Sequence, residues 1–103
     1  MKIVVVKLVT GDEVIGGLVT GKEDSYMSEE YIVLSKARTL VMQQAEGGHI
    51  GLGMMPFMPS ADNPATDSES DIKIFTQFIV AEPTNVPTPL EEAYTRTTSS
   101  IIT

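Results

Sequence analysis

Apolar and polar positions alternate along this chain in short runs, and the runs predict strands. Lys2–Thr10 is rich in β-branched residues, without Pro or Gly. Its near-continuous apolar core, IVVVKLV, predicts a first strand buried on both faces over part of its length. Gly11-Asp12 is a hairpin-type turn, where glycine takes positive φ without steric cost. Glu13–Lys22 reads as the second strand, with Gly16-Gly17 at its middle marking a bend or a close backbone approach. Glu23–Glu29 is a polar connection holding Tyr26 and Met27. Glu30–Gln44 is a long third strand with local alternation at Tyr31, Val33, Leu40 and Met42. Its pattern turns Lys36, Arg38 and Gln43–Gln44 to solvent. A strand of this length in a small domain bends or bulges, and Ser35–Ala37 is the expected place.

The second half is less regular. Ala45–Gly48 predicts a turn and His49–Met58 a fourth strand. Pro56 cannot donate to a ladder, so this strand is expected at an edge or broken near that residue. Pro59–Asp71 is a long polar loop without an apolar anchor. Ile72–Ala81 predicts the fifth strand, and Glu82–Thr88 a Pro-rich linker. A helix follows to about Thr97, with Thr88 as the expected cap, Pro89 as first helical residue and Glu91 completing a capping box. The final SSIIT is a short apolar tail. Five strands and glycine hinges in so short a chain predict a mostly β fold. The expectation is a small, strongly bent, five-stranded antiparallel barrel over residues 1–82, then a linker and C-terminal helix and tail over 83–103.

Composition narrows the function. The 103 residues suffice for one domain. Without cysteine, disulfides, thiolate metal sites and cysteine nucleophiles are excluded. The net charge of −7 argues against broad, non-specific nucleic-acid binding, which rests on Lys and Arg meeting phosphates. The acidic clusters read as solvated surface. No apolar run approaches the roughly 18 residues of a membrane span. MKIVVV is too short for the apolar core of a secretory signal, and Lys7 interrupts the run. The expectation is a soluble, cytoplasmic protein that does not engage membranes.

Catalytic patterns are missing. There is no Gly-x-Ser-x-Gly, phosphate loop or dinucleotide fingerprint, and no nucleophile–base arrangement is legible. His49 is the only histidine and lacks companion ligands. Asp67, Glu69 and Asp71 alternate as calcium-loop acids would, but Ile72 and Phe78 occupy the glycine and final glutamate positions of that pattern. Neither a cofactor nor a metal is expected, and the chain reads as non-enzymatic. Met42, Met54, Met55 and Met58 cluster around the third and fourth strands, where methionine serves a core or a subunit interface.

Gly11, Val14, Gly16 and Leu18, followed by Asp24-Ser25-Tyr26-Met27-Ser28 and the apolar Tyr31–Leu34, resemble the first motif of the Sm and Sm-like family. Ile50-Gly51-Leu52-Gly53 is the nearest counterpart of the second motif's Arg-Gly or Lys-Gly pair, which follows an apolar strand. Over residues 3–81 the chain is similar to small Sm-like proteins of marine phages. The resemblance implies a five-stranded barrel whose edge strands pair between subunits into a homo-oligomeric ring. It also implies a single-stranded RNA site at a loop rim. The matching positions are Asp24, Tyr26, Met27, Ser28, Leu52 and Gly53, with Tyr26 stacking on a base. Ser28 stands where the family has Asn, and Leu52 where it has Arg. RNA is therefore one expected partner. The alternative is a structural or protein-interaction ring that has lost the nucleotide pocket.

Overall fold

A computed structural model describes residues 1–20, 25–44, 46–48, 50–62 and 69–98. The fold is mostly β with one C-terminal helix. Its strands are β1 (Ile3–Leu8), β2 (Glu13–Leu18), β3 (Tyr31–Gln44), β4 (Ile50–Pro56), β5 (Ile72–Phe75) and β6 (Ile79–Ala81), and its helix is α1 (Thr88–Thr98). All pairings are antiparallel, in the order β4-β3-β2-β1-β6, with β5 also on β3. The sheet is strongly bent, and among the described residues its ladder does not close.

The glycines do what the pattern implied. Gly11, at φ 94°, turns β1 into β2. Gly16 lies against the Leu34 side chain and the Ser35 carbonyl, closer than a side chain there would tolerate. The bulge falls where it was expected. Ile15 pairs with Arg38 and Gly17 with Ser35, so Gly16 alone faces both Lys36 and Ala37. Lys36 takes φ 51°, a left-handed backbone uncommon for a residue with a Cβ.

β1 is buried on both faces. Val4, Val6 and Leu8 join Val14, Leu18, Ile32, Leu34, Ile72 and Ile74 inside the bend. Val5 joins Ile15 and Tyr94 on the outer face, beneath α1, with Ile3, Leu40, Met54, Val86 and Leu90 packed around them. The Tyr94 hydroxyl lies 2.9 Å from the Ser35 carbonyl and 3.0 Å from that of Lys36. The Lys36 ammonium reaches back to the Thr98 carbonyl at 2.9 Å. Helix and bulge therefore hold one another.

Several expectations change. The fifth strand, expected over Ile72–Ala81, is broken by a 3-10 turn at Thr76–Phe78. Thr76 donates its N–H to the Glu30 carbonyl, and its hydroxyl reaches the Glu29 carbonyl. These bonds swing the chain from the margin of β3 to that of β1. β4 and β5 lie end to end along β3, Pro56 opposite Arg38 and Ile72 opposite Leu34. They are two parts of one strand line, interrupted by residues 57–71. β4 is an edge strand and ends at Pro56, as that proline implied.

The described ends of the 59–71 segment are anchored, contrary to expectation. Ala61 packs against the core, as does Phe57 just before it, and the Ser70 hydroxyl donates to the Ala61 carbonyl. Arg38 grips Glu69 through two bonds, at 2.5 and 3.0 Å. Lys36 and Arg38 thus turn to protein partners rather than to open solvent. The helix begins one residue early. Glu91 N–H bonds the Pro87 carbonyl, which puts Pro87, not Thr88, at the cap. No helix among the described residues is long and apolar enough to cross a membrane.

Candidate functional site

The rim expected to bind a ligand forms where two turns meet. One is the 3-10 turn Tyr26–Ser28 ahead of β3, the other the Thr76–Phe78 turn after β5. Thr76 ties them through Glu29 and Glu30.

Within this rim, the expected base-stacking residue faces inward. Tyr26 is 7% exposed and belongs to the core with Val4, Leu18 and Ile32. Its hydroxyl donates to the Glu82 carboxylate, 56 positions on. The Lys2 ammonium lies 5.5 Å from its ring centre. Burial first, and the bond to Glu82 second, hold the phenol protonated well above its ordinary range. A buried ring with an occupied hydroxyl offers no open π-face to a base.

The other candidates disperse. The Ser28 hydroxyl bonds back to the Ser25 carbonyl at 2.7 Å, closing its own turn. Met27 packs on the core. Asp24 lies outside the described residues, as do His49 and Asp67. Leu52 and Gly53 sit inside β4, opposite Met42 and Val41, and not after the strand as the second motif requires. The residues that do follow an apolar strand and turn the chain are Thr76, Gln77 and Phe78. Strands β3, β4 and β5 separate the two turns of the rim in the sequence, and the β3–β5 pairing with the Thr76 bonds brings them together.

Sequence reasoning missed a different cluster on this rim. Tyr31 and Phe75 face one another across β3 and β5, ring centres 6.1 Å apart and edge to face. Lys73 places its ammonium 4.5 Å from the Tyr31 ring centre. Both rings are exposed. Period-two alternation could have put Tyr31, Val33 and Phe75 on one outer face. Only the register puts Tyr31 opposite Phe75.

Two concave regions flank the linker. One, about 630 Å³, lies between the start of β1 and residues 82–86, with Tyr26, Glu82 and Glu91 in its walls. The other, about 390 Å³, crosses the outer face between Leu40, Leu52, Pro87 and Leu90, with Lys7 and Glu13 at its rim. Among the described residues no three His, Cys, Asp or Glu side chains gather as a metal site would require.

The sheet also ends in two unlike apolar margins. At β4, Leu52 and Met55 are more than half exposed, with Met42 beside them on β3. At the opposite end, Phe78 and Val80 are comparably exposed. The methionine cluster therefore divides: Met54 supports the helix, while Met42, Met55 and Met58 face out. No protein-family model matches the chain, and no curated protein matches its sequence.

Proposed function

We infer that this protein is a non-enzymatic, cytoplasmic Sm-like module that assembles into a homo-oligomeric ring and serves as a structural or protein-interaction scaffold. One observation carries the reading: among the described residues the sheet order ends in two different open strands, β4 and β6, each with exposed apolar side chains. An open strand leaves backbone donors and acceptors unpaired and invites another strand. Because the two margins differ, the contact between copies is heterologous, β4 of one against β6 of the next, and it closes by rotation. The buried Tyr26, the self-bonded Ser28 and the −7 charge count against a nucleotide pocket at the expected positions. The absence of cysteine suits a reducing compartment.

Light scattering at micromolar concentration tests the ring, and a monomer refutes it. The variants M55K and V80K, at exposed positions, test the pairing. Each disables one margin, so each alone is a monomer, and a mixture yields a heterodimer through the two intact margins. A contact of β4 with β4 would instead leave V80K fully assembled, and that outcome refutes the heterologous pairing.

A second reading rests on the exposed Tyr31–Phe75 pair with Lys73. Aromatic faces beside a cation stack single-stranded bases, worth roughly 1–3 kcal/mol per base. On this reading the ring binds single-stranded RNA there. Anisotropy with U-rich and A-rich oligonucleotides at low salt decides: binding lost in Tyr31→Ala supports it, and no binding excludes it.

A further inference from the structure

We propose that the free margin of β1, from Ile3 to Val6, is a strand-addition site for an extended peptide carrying a basic side chain. Leu18 N–H bonds the Lys2 carbonyl at 2.7 Å, and Leu8 N–H bonds the Asp12 carbonyl at 2.9 Å. The β1–β2 register runs unbroken between these bonds. In an antiparallel pair the bonding residues alternate, so Lys2, Val4, Val6 and Leu8 bond toward β2. Ile3, Val5 and Lys7 direct their N–H and C=O groups to the other side. There, Lys7 pairs with Ala81 of β6. Beyond Lys7 no strand pairs with β1 on that side among the described residues.

The reason is Pro83. Extending the Lys7–Ala81 register by two places Pro83 opposite Val5 and Asn85 opposite Ile3. Pro83 has no N–H to give the Val5 carbonyl, so the ladder stops and the chain lifts away. The gap left between β1 and residues 82–86 is the cavity of about 630 Å³. That volume falls in the range of roughly 300–1,000 Å³ typical of ligand sites.

The walls define the occupant. The floor is the β1 backbone, which offers main-chain bonds to any extended segment and selects nothing. Selection falls to the side walls. Tyr26 with Glu82 forms one, and Val86 with Glu91 the other, next to α1. Two carboxylates face the slot, on a protein of net charge −7. A Lys or Arg on the incoming strand complements them, while apolar neighbours contact Val86. The protein's own tail, residues 99–103, carries no basic residue and does not fit this chemistry.

Hydrogen exchange followed by NMR tests the free margin. Ile3 and Val5 amides should exchange at least about tenfold faster than those of Val4 and Val6. Equal protection overturns the proposal. Four capped heptapeptides then test the occupant by NMR titration: Thr-Val-Lys-Val-Lys-Val-Thr, its Glu-for-Lys twin, and two versions of the Lys peptide N-methylated on alternate nitrogens, one in each frame. The Lys peptide should bind, slow the Ile3 and Val5 amides, and weaken severalfold in the E82Q/E91Q variant. The Glu twin should bind at least about tenfold more weakly. One N-methylation frame should abolish binding and the other spare it. Failure of the Lys peptide at millimolar concentration, equal binding of the Glu twin, or indifference to the N-methylation frame overturns the proposal. A rise in mass on adding peptide, showing association of copies in place of peptide capture, overturns it as well. All these outcomes are independent of ring formation, because M55K and V80K leave Ile3–Val6 untouched and the titration can be run in either.

Discussion

Replacing Tyr94 by Phe removes one hydroxyl and keeps the buried ring. That hydroxyl faces the Ser35 and Lys36 carbonyls at 2.9 and 3.0 Å, across the β3 bulge where Lys36 holds its left-handed φ of 51°. Its single proton serves both acceptors. The net worth of such a bond is roughly 0.5–1.5 kcal/mol, and leaving half-buried carbonyls without their donor adds to the loss. Y94F should therefore cost about 1–2 kcal/mol. The ring itself is 5% exposed and anchors α1 against Val5 and Ile15, so Y94A should cost about 3–5 kcal/mol. For a chain of this size each kcal/mol moves Tm by about 4–8 °C. Urea unfolding followed by circular dichroism, with Tm from calorimetry, measures both variants. The ratio between them is the informative quantity. A Y94F change below about 0.3 kcal/mol would show that the hydroxyl is replaced by water without loss, and the claim that the helix stabilises the bulge would fail.

The two central glycines should respond oppositely to alanine. A Cβ at Gly16 meets Leu34 Cβ at 2.9 Å, inside the closed core, so G16A should cost about 1–3 kcal/mol. A Cβ at Gly17 meets only the Met1 side chain, which is 80% exposed and free to swing away, so G17A should stay within about 0.5 kcal/mol. Comparable losses in denaturant melts would refute that reading of the bend. Tyr26 and Tyr94 are both held protonated above the ordinary tyrosine range, chiefly by burial. Their contribution is complete below about pH 10 and declines as pH rises, because the unfolded chain ionises there while the folded chain does not. Stability measured from pH 8 to 11 should fall more steeply in the native protein than in Y26F/Y94F. Arg38 holds the Glu69 carboxyl below its usual range, so the pair stabilises above the ordinary carboxylate pKa and fades as pH falls. As a half-buried, two-bond pair it should contribute about 1 kcal/mol, read as the difference between native protein and E69Q at pH 7.

The rim illustrates where sequence reasoning stops. The resemblance to the first Sm motif implies Tyr26 as the base-stacking residue. Its true partner, Glu82, stands 56 positions away in a stretch that reads as linker, and no local pattern links them. In the sequence, Leu52-Gly53 is the nearest counterpart of the second motif's Arg-Gly or Lys-Gly pair. Register puts that pair mid-strand and gives the turning role to Thr76–Phe78, whose sequence reads as uninterrupted strand. The hydroxyl and N–H of Thr76 make the difference, by bonding carbonyls of Glu29 and Glu30 that the sequence keeps far apart.

What the sequence determined by itself is local. Steric preference and side-chain period predict the strands β1 to β3, the Gly11 turn, the close approach at Gly16, the bulge beside Ala37, and a helix after the Pro-rich linker. Each depends on neighbours within a few residues, where backbone sterics act. The tertiary structure alone decided what is presented and what is hidden. It turned Tyr26 inward and set Tyr31 against Phe75. Among the described residues it left β4 and β6 open at the two ends of the sheet. It also opened a slot beside β1, where Pro83 reaches a ladder it cannot join. These outcomes depend on pairing between residues distant in the sequence, as Tyr31 with Phe75 and Lys7 with Ala81, and register, not composition, assigns the partners.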